Sequence, residues 1–520
     1  MDQALFHSLV DITQTTASRQ GKADMMLDRA RWAATVFDRY DLDTTMRIVD
    51  AVAEAAHTHA AELAESAVAE SGFGVIAHKK IKNELTAKPL VDHFRDADFV
   101  NPRVDEAHKI VEVPRPAGVV FALTPSTNPV ATINYKVILS LMTRNALVIS
   151  PHPAVCETSV RAARILAAAA EAAGAPAGVI QILEEPSIPL IEAFMTSPKT
   201  NVILATGGTA MVRAAYSSGN PAVGVGPGNA PVIVDASADL TKAARLIVAS
   251  KSFDNSVLCT NESVLVTIDS VANQLKLALK AAGAYLCSDD QIAALRRFLF
   301  HPNGFNIEAI GRDATWIAQE CGIRVPSDTK ILVVPIGQIG VEEPLSREKL
   351  CPVLALHAVR NRAQAISQSR AVLRLAGAGH SAAIHATEEA AVMAFASTVE
   401  AYRVVVNAPC SQGAAGFGTH LAPTFTIGTG YFGRSSIGDN VGPQHLVHWT
   451  RIAYGTDEPF GAYHGLGRGF GGPLPAAPAD GMPGSAAPPP QPPAMAGMDG
   501  AMREELRRLI AHELRDLLKK

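Results

Sequence analysis

The sequence predicts an α/β protein built on two parallel β-sheets, and three observations carry that prediction. Short apolar segments alternate with alanine-rich amphipathic ones between residues 118 and 205. A second alternation of the same kind starts near Pro231. The chain has 520 residues, 48% of them hydrophobic, which is enough for two buried cores. Alternating strand and helix implies βαβ units, whose crossover connections leave neighbouring strands parallel.

Residues 24–95 read as helices. Leu27, Ala30, Ala34 and Phe37, then Met46, Ile48, Val49, Val52 and Ala56, recur near a period of 3.6. The first alternation places strands at 118–123, 146–150, 179–183 and 201–205, with helices at 136–143, 159–173 and 188–195 between them. The second gives strands at 232–234, 263–266, 331–334, 353–356 and 381–384, then strand-like 404–406 ahead of a Gly-rich segment that runs to Tyr454. After Asp457 the composition shifts to Gly, Pro and Ala as far as about Asp499, which builds no packed core and predicts a partly extended tether. Residues 502–520 return to a helical pattern, with Leu506, Leu509, Ile510, Leu514, Leu517 and Leu518 on one side, Asp499 placed to cap the start and Lys519 and Lys520 suited to the negative C-terminal end.

Composition narrows the function. A formal net charge of −4 leaves no basic excess for a phosphate backbone, so the expected partner is a small molecule or another protein and not a nucleic acid. Six cysteines, Cys156, Cys259, Cys287, Cys321, Cys351 and Cys410, form no CxxC pair and no His/Cys cluster at metal spacing, so no metal site is expected. Residues 1–20 lack the basic start and apolar stretch of a signal peptide, and no run reaches the length of a membrane span. The expected location is a reducing cytoplasm, where free thiols persist.

Within this frame Cys259 stands out. It sits in a polar turn, Ser252-Phe253-Asp254-Asn255-Ser256-Val257-Leu258-Cys259-Thr260-Asn261-Glu262, between a helix end and the apolar strand that continues from Ser263. A thiol there can meet a ligand; a small buried hydrophobe is the alternative. Asn128, before Pro129, reads equally as a turn residue. Ala205-Thr206-Gly207-Gly208-Thr209 follows a strand and opens a helix, so a dinucleotide pyrophosphate can approach the helix N-terminus, although the segment is not GxGxxG and such turns are common without a ligand.

Taken in order, these segments resemble those of the aldehyde dehydrogenase superfamily, and most closely its coenzyme-A-acylating branch. The motifs are Leu123-Thr124-Pro125-Ser126-Thr127-Asn128-Pro129, Ala205 to Thr209, Gly224-Val225-Gly226-Pro227-Gly228-Asn229-Ala230-Pro231, the Cys259 turn, and Glu348-Lys349-Leu350-Cys351-Pro352-Val353, and the likeness runs from about Leu27 to Tyr454. It implies two Rossmann-like parallel-sheet domains plus an oligomerisation extension: helices and NAD-binding domain over 1–233, a nucleophile-bearing domain over 234–425, an oligomerisation segment over 426–456, the linker at 457–498 and the terminal helix at 499–520. Homodimers or homotetramers follow by the same analogy.

The roles implied are specific. Cys259 attacks the aldehyde, while its own N–H and the Asn128 amide hold the oxyanion. Thr124, Pro125, Ser150, His152, Thr206, Gly207, Gly208, Thr209, Gly226, Glu348 and Leu350 border the cofactor, NAD with NADP not excluded, and Glu348 matches a glutamate that binds the nicotinamide ribose. His380 matches a position near the active site and is assigned to proton transfer; a structural histidine between a Gly-rich turn and a strand is the alternative. Hydrolytic relatives carry a glutamate in a Glu-Leu-Gly-Gly segment where this chain has Val225, so the expected acceptor of the Cys259 thioester is coenzyme A. A hydrolytic or semialdehyde dehydrogenase with a different base, and a scaffold without catalysis, remain the competing readings. Acetaldehyde, propionaldehyde, an amino-substituted aldehyde and sulfoacetaldehyde are all open as substrates, with Thr424 to Ile427 and Arg434 to Ser436 as candidate borders of the aldehyde pocket.

The tether and terminal helix resemble peptides that direct enzymes into bacterial microcompartments, which implies shell or cargo proteins as partners of 499–520 and a compartment lumen as location. A coiled-coil helix, a membrane-surface helix and a helix docked on its own domain compete with this, and the mixed acidic and basic face argues against the membrane.

Overall fold

The computed structural model describes residues 16–302 and 304–460. The linker from 461 onward and the helix expected at 499–520 lie outside the described residues.

Among the described residues five helices come first: α1 Thr16–Phe37, α2 Leu42–Thr58, α3 Ala60–Ser71, α4 Ile76–Leu85 and α5 Lys88–Phe94. Asp41 caps α2 by accepting from Thr44 N at 2.8 Å, and the buried face of α2 is the predicted row of Ile48, Val49, Val52 and Ala56. Gly72, at φ 73°, ends α3 in the left-handed conformation that favours glycine.

A ribbon of β1 Arg103–Asp105 and β2 Ile110–Pro116 leads into the first alternating unit. This comprises β3 Val119–Leu123, α6 Pro129–Met142, β4 Ala146–Ser150, α7 Cys156–Ala172, β5 Ile180–Ile182, α8 Ile188–Thr196, β6 Val202–Thr206, α9 Thr209–Tyr216 and β7 Ala222–Val225. Its five-stranded sheet has the order β5-β4-β3-β6-β7 and is parallel throughout. The chain moves outward from β3 through β4 to β5, then returns to the other side of β3, so the order reverses beside β3 and β6. Ligands of open parallel sheets bind at such a reversal, outside the carboxyl ends of the strands.

The second unit holds β8 Ala230–Val234, α10 Leu240–Ser252, β9 Glu262–Ile268, α11 Asp269–Ala281, β10 Ala284–Leu286 and α12 Asp289–Leu299, then a small antiparallel pair, β11 Phe300–His301 and β12 Gly304–Phe305. It continues with α13 Ala314–Glu320, β13 Ile331–Pro335, β14 Val353–Val359, α14 Arg362–Leu375, β15 Ala382–His385, α15 Glu389–Ala396, β16 Val404–Val406 and α16 Cys410–Gly413. Its seven-stranded sheet, β10-β13-β14-β9-β8-β15-β16, is also parallel. Alternate residues of one strand enter different cores: Val264 and Val266 face one, Leu265 the other. Burial on both faces is why these strands read as unbroken apolar runs.

Three details differ from the sequence reading. β8 pairs with β9 and β15, so residues 230–233 belong to the second sheet and the division falls before Ala230, not after 233. Ala415, Phe417, Phe425, Val441 and Leu446 pack into the core of the first unit, which takes residues from about 415 away from the second. The last strand, β17 Val447–Ala453, runs antiparallel along β2 and completes a three-stranded sheet, β1-β2-β17, that the sequence reading does not anticipate. Among the described residues no helix is long and apolar enough to cross a membrane.

Candidate active site

The turn that carries Cys259 is conformationally costly and is held by buried polar contacts. Asp254, Asn255 and Ser256 take φ of 49°, 50° and 69° in succession, a left-handed run that β-carbon-bearing residues avoid at about 1–2 kcal/mol each. Asp254, fully buried, accepts from Val75 N at 2.6 Å, from Lys79 Nζ at 3.3 Å and from Lys82 Nζ. Its own N–H donates to His78 Nδ1 at 2.9 Å, and burial pushes that imidazole down, which keeps it neutral and able to accept. Asn255 Nδ2 donates to Gly311 O at 2.8 Å. Asn261 closes the turn from the far side, accepting from Ser256 Oγ at 2.6 Å and Lys251 Nζ at 2.5 Å while donating to Leu258 O at 2.6 Å. Phe253 and Leu258 sink into the core of the first unit although the turn belongs to the second, so Cys259 stands where the two units meet.

The thiol of Cys259 is half-buried and free. Burial, with the Glu348 carboxylate adding to it, pushes the thiol up to about 12, so the resting residue is a neutral thiol. Gly228 packs directly on this turn: a β-carbon there would lie 1.9 Å from Cys259 O and 3.5 Å from Glu348 Oε1. Gly228 N donates to Glu348 Oε1 at 3.1 Å, and burial pushes the Glu348 carboxyl up to about 8 against that bond. Glycine is required here by close approach, not by φ.

Asn128 reaches the same turn from the first unit. It precedes α6 without capping it, since its Nδ2 donates to Thr127 Oγ1 at 3.2 Å and to Val257 O at 3.4 Å while Oδ1 accepts from Lys82 Nζ. The amide therefore lies two residues from Cys259 along the turn. His380 is placed differently. It is fully buried, with Nδ1 3.0 Å from Ser381 Oγ, no partner for Nε2, and a pKa pushed down to about 3 by burial and by Arg403. None of its hydrogen bonds reaches the Cys259 turn.

Most of the expected cofactor residues gather at one edge of the five-stranded sheet, while Glu348 and Leu350 belong to the second unit. Leu123 pairs with Ser150 and Ala205, and Thr206 with Val225, so the carboxyl ends of β3, β4, β6 and β7 lie side by side. Thr124, Pro125 and Ser150 stand at the first two ends, Thr206, Gly207, Gly208 and Thr209 at the start of α9, and Gly226 just beyond β7. Thr124 Oγ1 and Ser150 Oγ are buried there without a partner. Buried hydroxyls normally find one, and these two lie at the carboxyl ends of strands, the end at which open parallel sheets take their ligands. A β-carbon on Gly208 would meet nothing within 4 Å, so the turn is open toward solvent. The residues present thus fit a nicotinamide dinucleotide. His152 is exposed and uses Nδ1 to accept from Ala154 N at 3.2 Å; Leu350, half-buried, offers its carbonyl to Gly311 N at 2.8 Å.

Residues 8–294 match the family model described as the aldehyde dehydrogenase family. The chain belongs to the aldehyde dehydrogenase family. It is 36% identical over 436 residues to an aldehyde-alcohol dehydrogenase of Clostridium acetobutylicum, an alignment covering 83% of this chain and 50% of the relative. The chain thus spans about half the length of the curated relatives it matches first. A solved acetylating aldehyde dehydrogenase from Geobacillus thermoglucosidasius has 36% identity and a TM-score of 0.84, covering 85% of this chain and 98% of that one. A propionaldehyde dehydrogenase from the Clostridium phytofermentans fucose utilisation bacterial microcompartment has 30% identity and a TM-score of 0.76, over 82% of this chain and 96% of that one.

In this chain Val225 is the last residue of β7, 3% exposed and apolar. The site also includes residues that sequence patterns did not single out: Lys79, Lys82 and Asp254. One signal was available. The buried face of α4 consists of Lys79, Lys82 and Asn83, a helix face that is polar at the i, i+3 and i+4 spacing where apolar residues belong. Buried charges require partners, so that spacing marks a buried ion-pair network.

Proposed function

We propose that this chain is a coenzyme-A-acylating aldehyde dehydrogenase acting on a short-chain aldehyde. The observation that carries the reading is Val225: a buried apolar side chain stands where hydrolytic relatives hold the water-activating glutamate. In the proposed cycle the Cys259 thiol gives its proton to solvent and the resulting sulfur anion attacks the aldehyde carbon. The alkoxide that forms is held by the Cys259 N–H and by the Asn128 amide, which gives up one of its resting bonds, to Thr127 Oγ1 or to Val257 O, in exchange for the developing charge. Bound NAD supplies the acceptor for the hydride that leaves the carbon, and a thioester on Cys259 results. With valine at the end of β7, water lacks a base there, and a thiol, more acidic and more nucleophilic than water, takes the acyl group and returns the Cys259 thiol. Thr124, Ser150 and the turn from Thr206 to Thr209 would hold the dinucleotide, with Glu348 at its nicotinamide ribose. His380 would serve proton transfer through its neighbours Ser381 and Arg403.

The test is NADH formation from acetaldehyde and propionaldehyde with and without coenzyme A, with Cys259→Ala as the blank. Turnover that needs both coenzyme A and Cys259 is expected, with at most a stoichiometric burst when coenzyme A is omitted. Sustained release of free acid would overturn the reading and direct attention to Glu348 as the base.

We further propose that the protein works as a homodimer or homotetramer in the lumen of a bacterial microcompartment, addressed there by residues 499–520 binding a shell or cargo protein. The Pro/Gly/Ala tether and the one-sided Leu/Ile pattern support this address, and β17, at one edge of its sheet, offers a strand edge for subunit contact. A fluorescent protein fused to residues 498–520 should form compartment-sized foci only with co-expressed shell proteins; diffuse signal in both conditions removes the idea.

A further inference from the structure

We infer that Lys82 is a positioning residue that orients the Asn128 amide toward the nucleophile turn. The inference rests on the reading of Asn128 as an oxyanion donor. Lys82, 1% exposed, extends from α4 and places one ammonium against both Asn128 Oδ1 and Asp254 Oδ2. An ammonium only donates and an asparagine side chain has one acceptor end and one donor end. Lys82 therefore fixes which way the amide faces: Oδ1 toward α4, Nδ2 toward Thr127 Oγ1 and the Val257 carbonyl, two residues before Cys259. An amide flipped about its last bond would set its NH2 against the ammonium and its oxygen against the carbonyl, and two repulsions would replace two hydrogen bonds.

The same ammonium ties this donor to the nucleophile. Asp254 begins the left-handed run that leads to Cys259, so one cation holds donor and nucleophile turn in fixed relation although they come from different sheets. Lys79 closes the arrangement, donating to Asp254 Oδ2 at 3.3 Å and to Thr127 O, next to Asn128, at 3.0 Å. Two ammonium groups face one carboxylate. The positive excess polarises the Asn128 amide in the sense that strengthens its N–H toward a developing alkoxide.

The experiment is a double-mutant cycle read as the rate of the NADH burst when aldehyde and NAD are mixed with the full-length enzyme without coenzyme A. Asn128→Ala is expected to slow the burst about 100-fold or more, the usual effect of losing one oxyanion donor. Lys82→Met is expected to slow it at least about tenfold alone, and to have little further effect once Asn128 is alanine, because residues acting through one group are not additive. Lys82→Arg, which keeps a donor and a cation, should recover part of the loss. Iodoacetamide alkylation of Cys259, which uses no oxyanion donor, should change by a smaller factor than the burst in Lys82→Met. An equal slowing by Lys82→Met with and without Asn128 would overturn the inference, as would a parental burst in Lys82→Met. Should Lys82→Met not fold, Lys82→Leu is carried through the same cycle and judged by the same criterion. A parental burst in Asn128→Ala would instead remove the oxyanion reading itself, and the role of Lys82 with it.

Discussion

At Cys259 two effects oppose the thiolate, burial first and then the Glu348 carboxylate, whose own charge is opposed by burial. The thiol is pushed up to about 12 and the carboxyl to about 8. The sign of the coupling can be tested. Below about pH 8 Glu348 is protonated and adds no charge; above it, a carboxylate opposes thiolate formation. Glu348→Gln, whose amide oxygen can still accept from Gly228 N, should therefore speed iodoacetamide alkylation of Cys259 above about pH 8 and leave the rate unchanged below it. A pH-independent acceleration would mean that the substitution had simply opened the site. Gly228 gives a second prediction at this scale. A methyl group 1.9 Å from Cys259 O must displace backbone, and displacement of reacting groups by about 1 Å costs on the order of 100-fold. Gly228→Ala should lose turnover by about that factor while still binding NAD, measured by fluorescence quenching; parental turnover would show that the turn yields freely.

Among the elements, strands buried on both faces announced themselves, and those with one wet face did not. Residues 146–150 and 331–334 are runs without a polar interruption, because helices cover both sides of their sheets, and each lies within an observed strand. β17 escaped because its residues are mostly exposed and include His448, Thr450 and Arg451, and because its partner β2 lies more than 300 residues earlier, where no local pattern can point to it. The polar face of α4 escaped for a related reason: lysines on a helix normally mark solvent, and the spacing of Lys79, Lys82 and Asn83 becomes telling once Asp254 is placed against it. Arg403, at the start of β16, is another such residue. Its guanidinium donates to Gly379 O at 2.6 Å, His380 O and Gly438 O at 2.8 Å and also to Gly428 O, binding the Gly-rich segment to the second sheet. A lysine cannot reach this spread of carbonyls. Arg403→Lys should cost about 2 kcal/mol or more of unfolding free energy by urea titration, since bonds to a charged donor contribute about 1.5–3 kcal/mol each and buried carbonyls would lose theirs.

For the molecule as a whole, the active site exists only because two parallel-sheet units are held in register, and the C-terminal segment does much of the holding. After β16 the chain leaves the seven-stranded sheet, lays Phe417, Phe425, Val441 and Leu446 into the core of the first unit, and then runs β17 along β2 from Val447 against Pro116 to Ala453 against Ile110. Tyr135, deep in that core, donates to Val441 O, and Asn145 Nδ2 to Leu446 O at 3.0 Å. The tie continues to Lys109 Nζ, which donates to Thr456 O at 2.5 Å and Glu458 O at 2.8 Å. The fold is thus closed by about residue 458, before the composition that predicts a tether takes over. A chain ending after Phe460 should keep the thermal midpoint and the turnover of the full-length enzyme while losing any focus formation with shell proteins. A chain ending after Leu446 leaves β2 without its neighbour, exposing a strand edge that invites association, and should aggregate or unfold at lower temperature. Separate outcomes for the two truncations would assign closure to β17 and addressing to the tail. Loss of turnover in the first would instead place part of the catalytic assembly beyond Phe460.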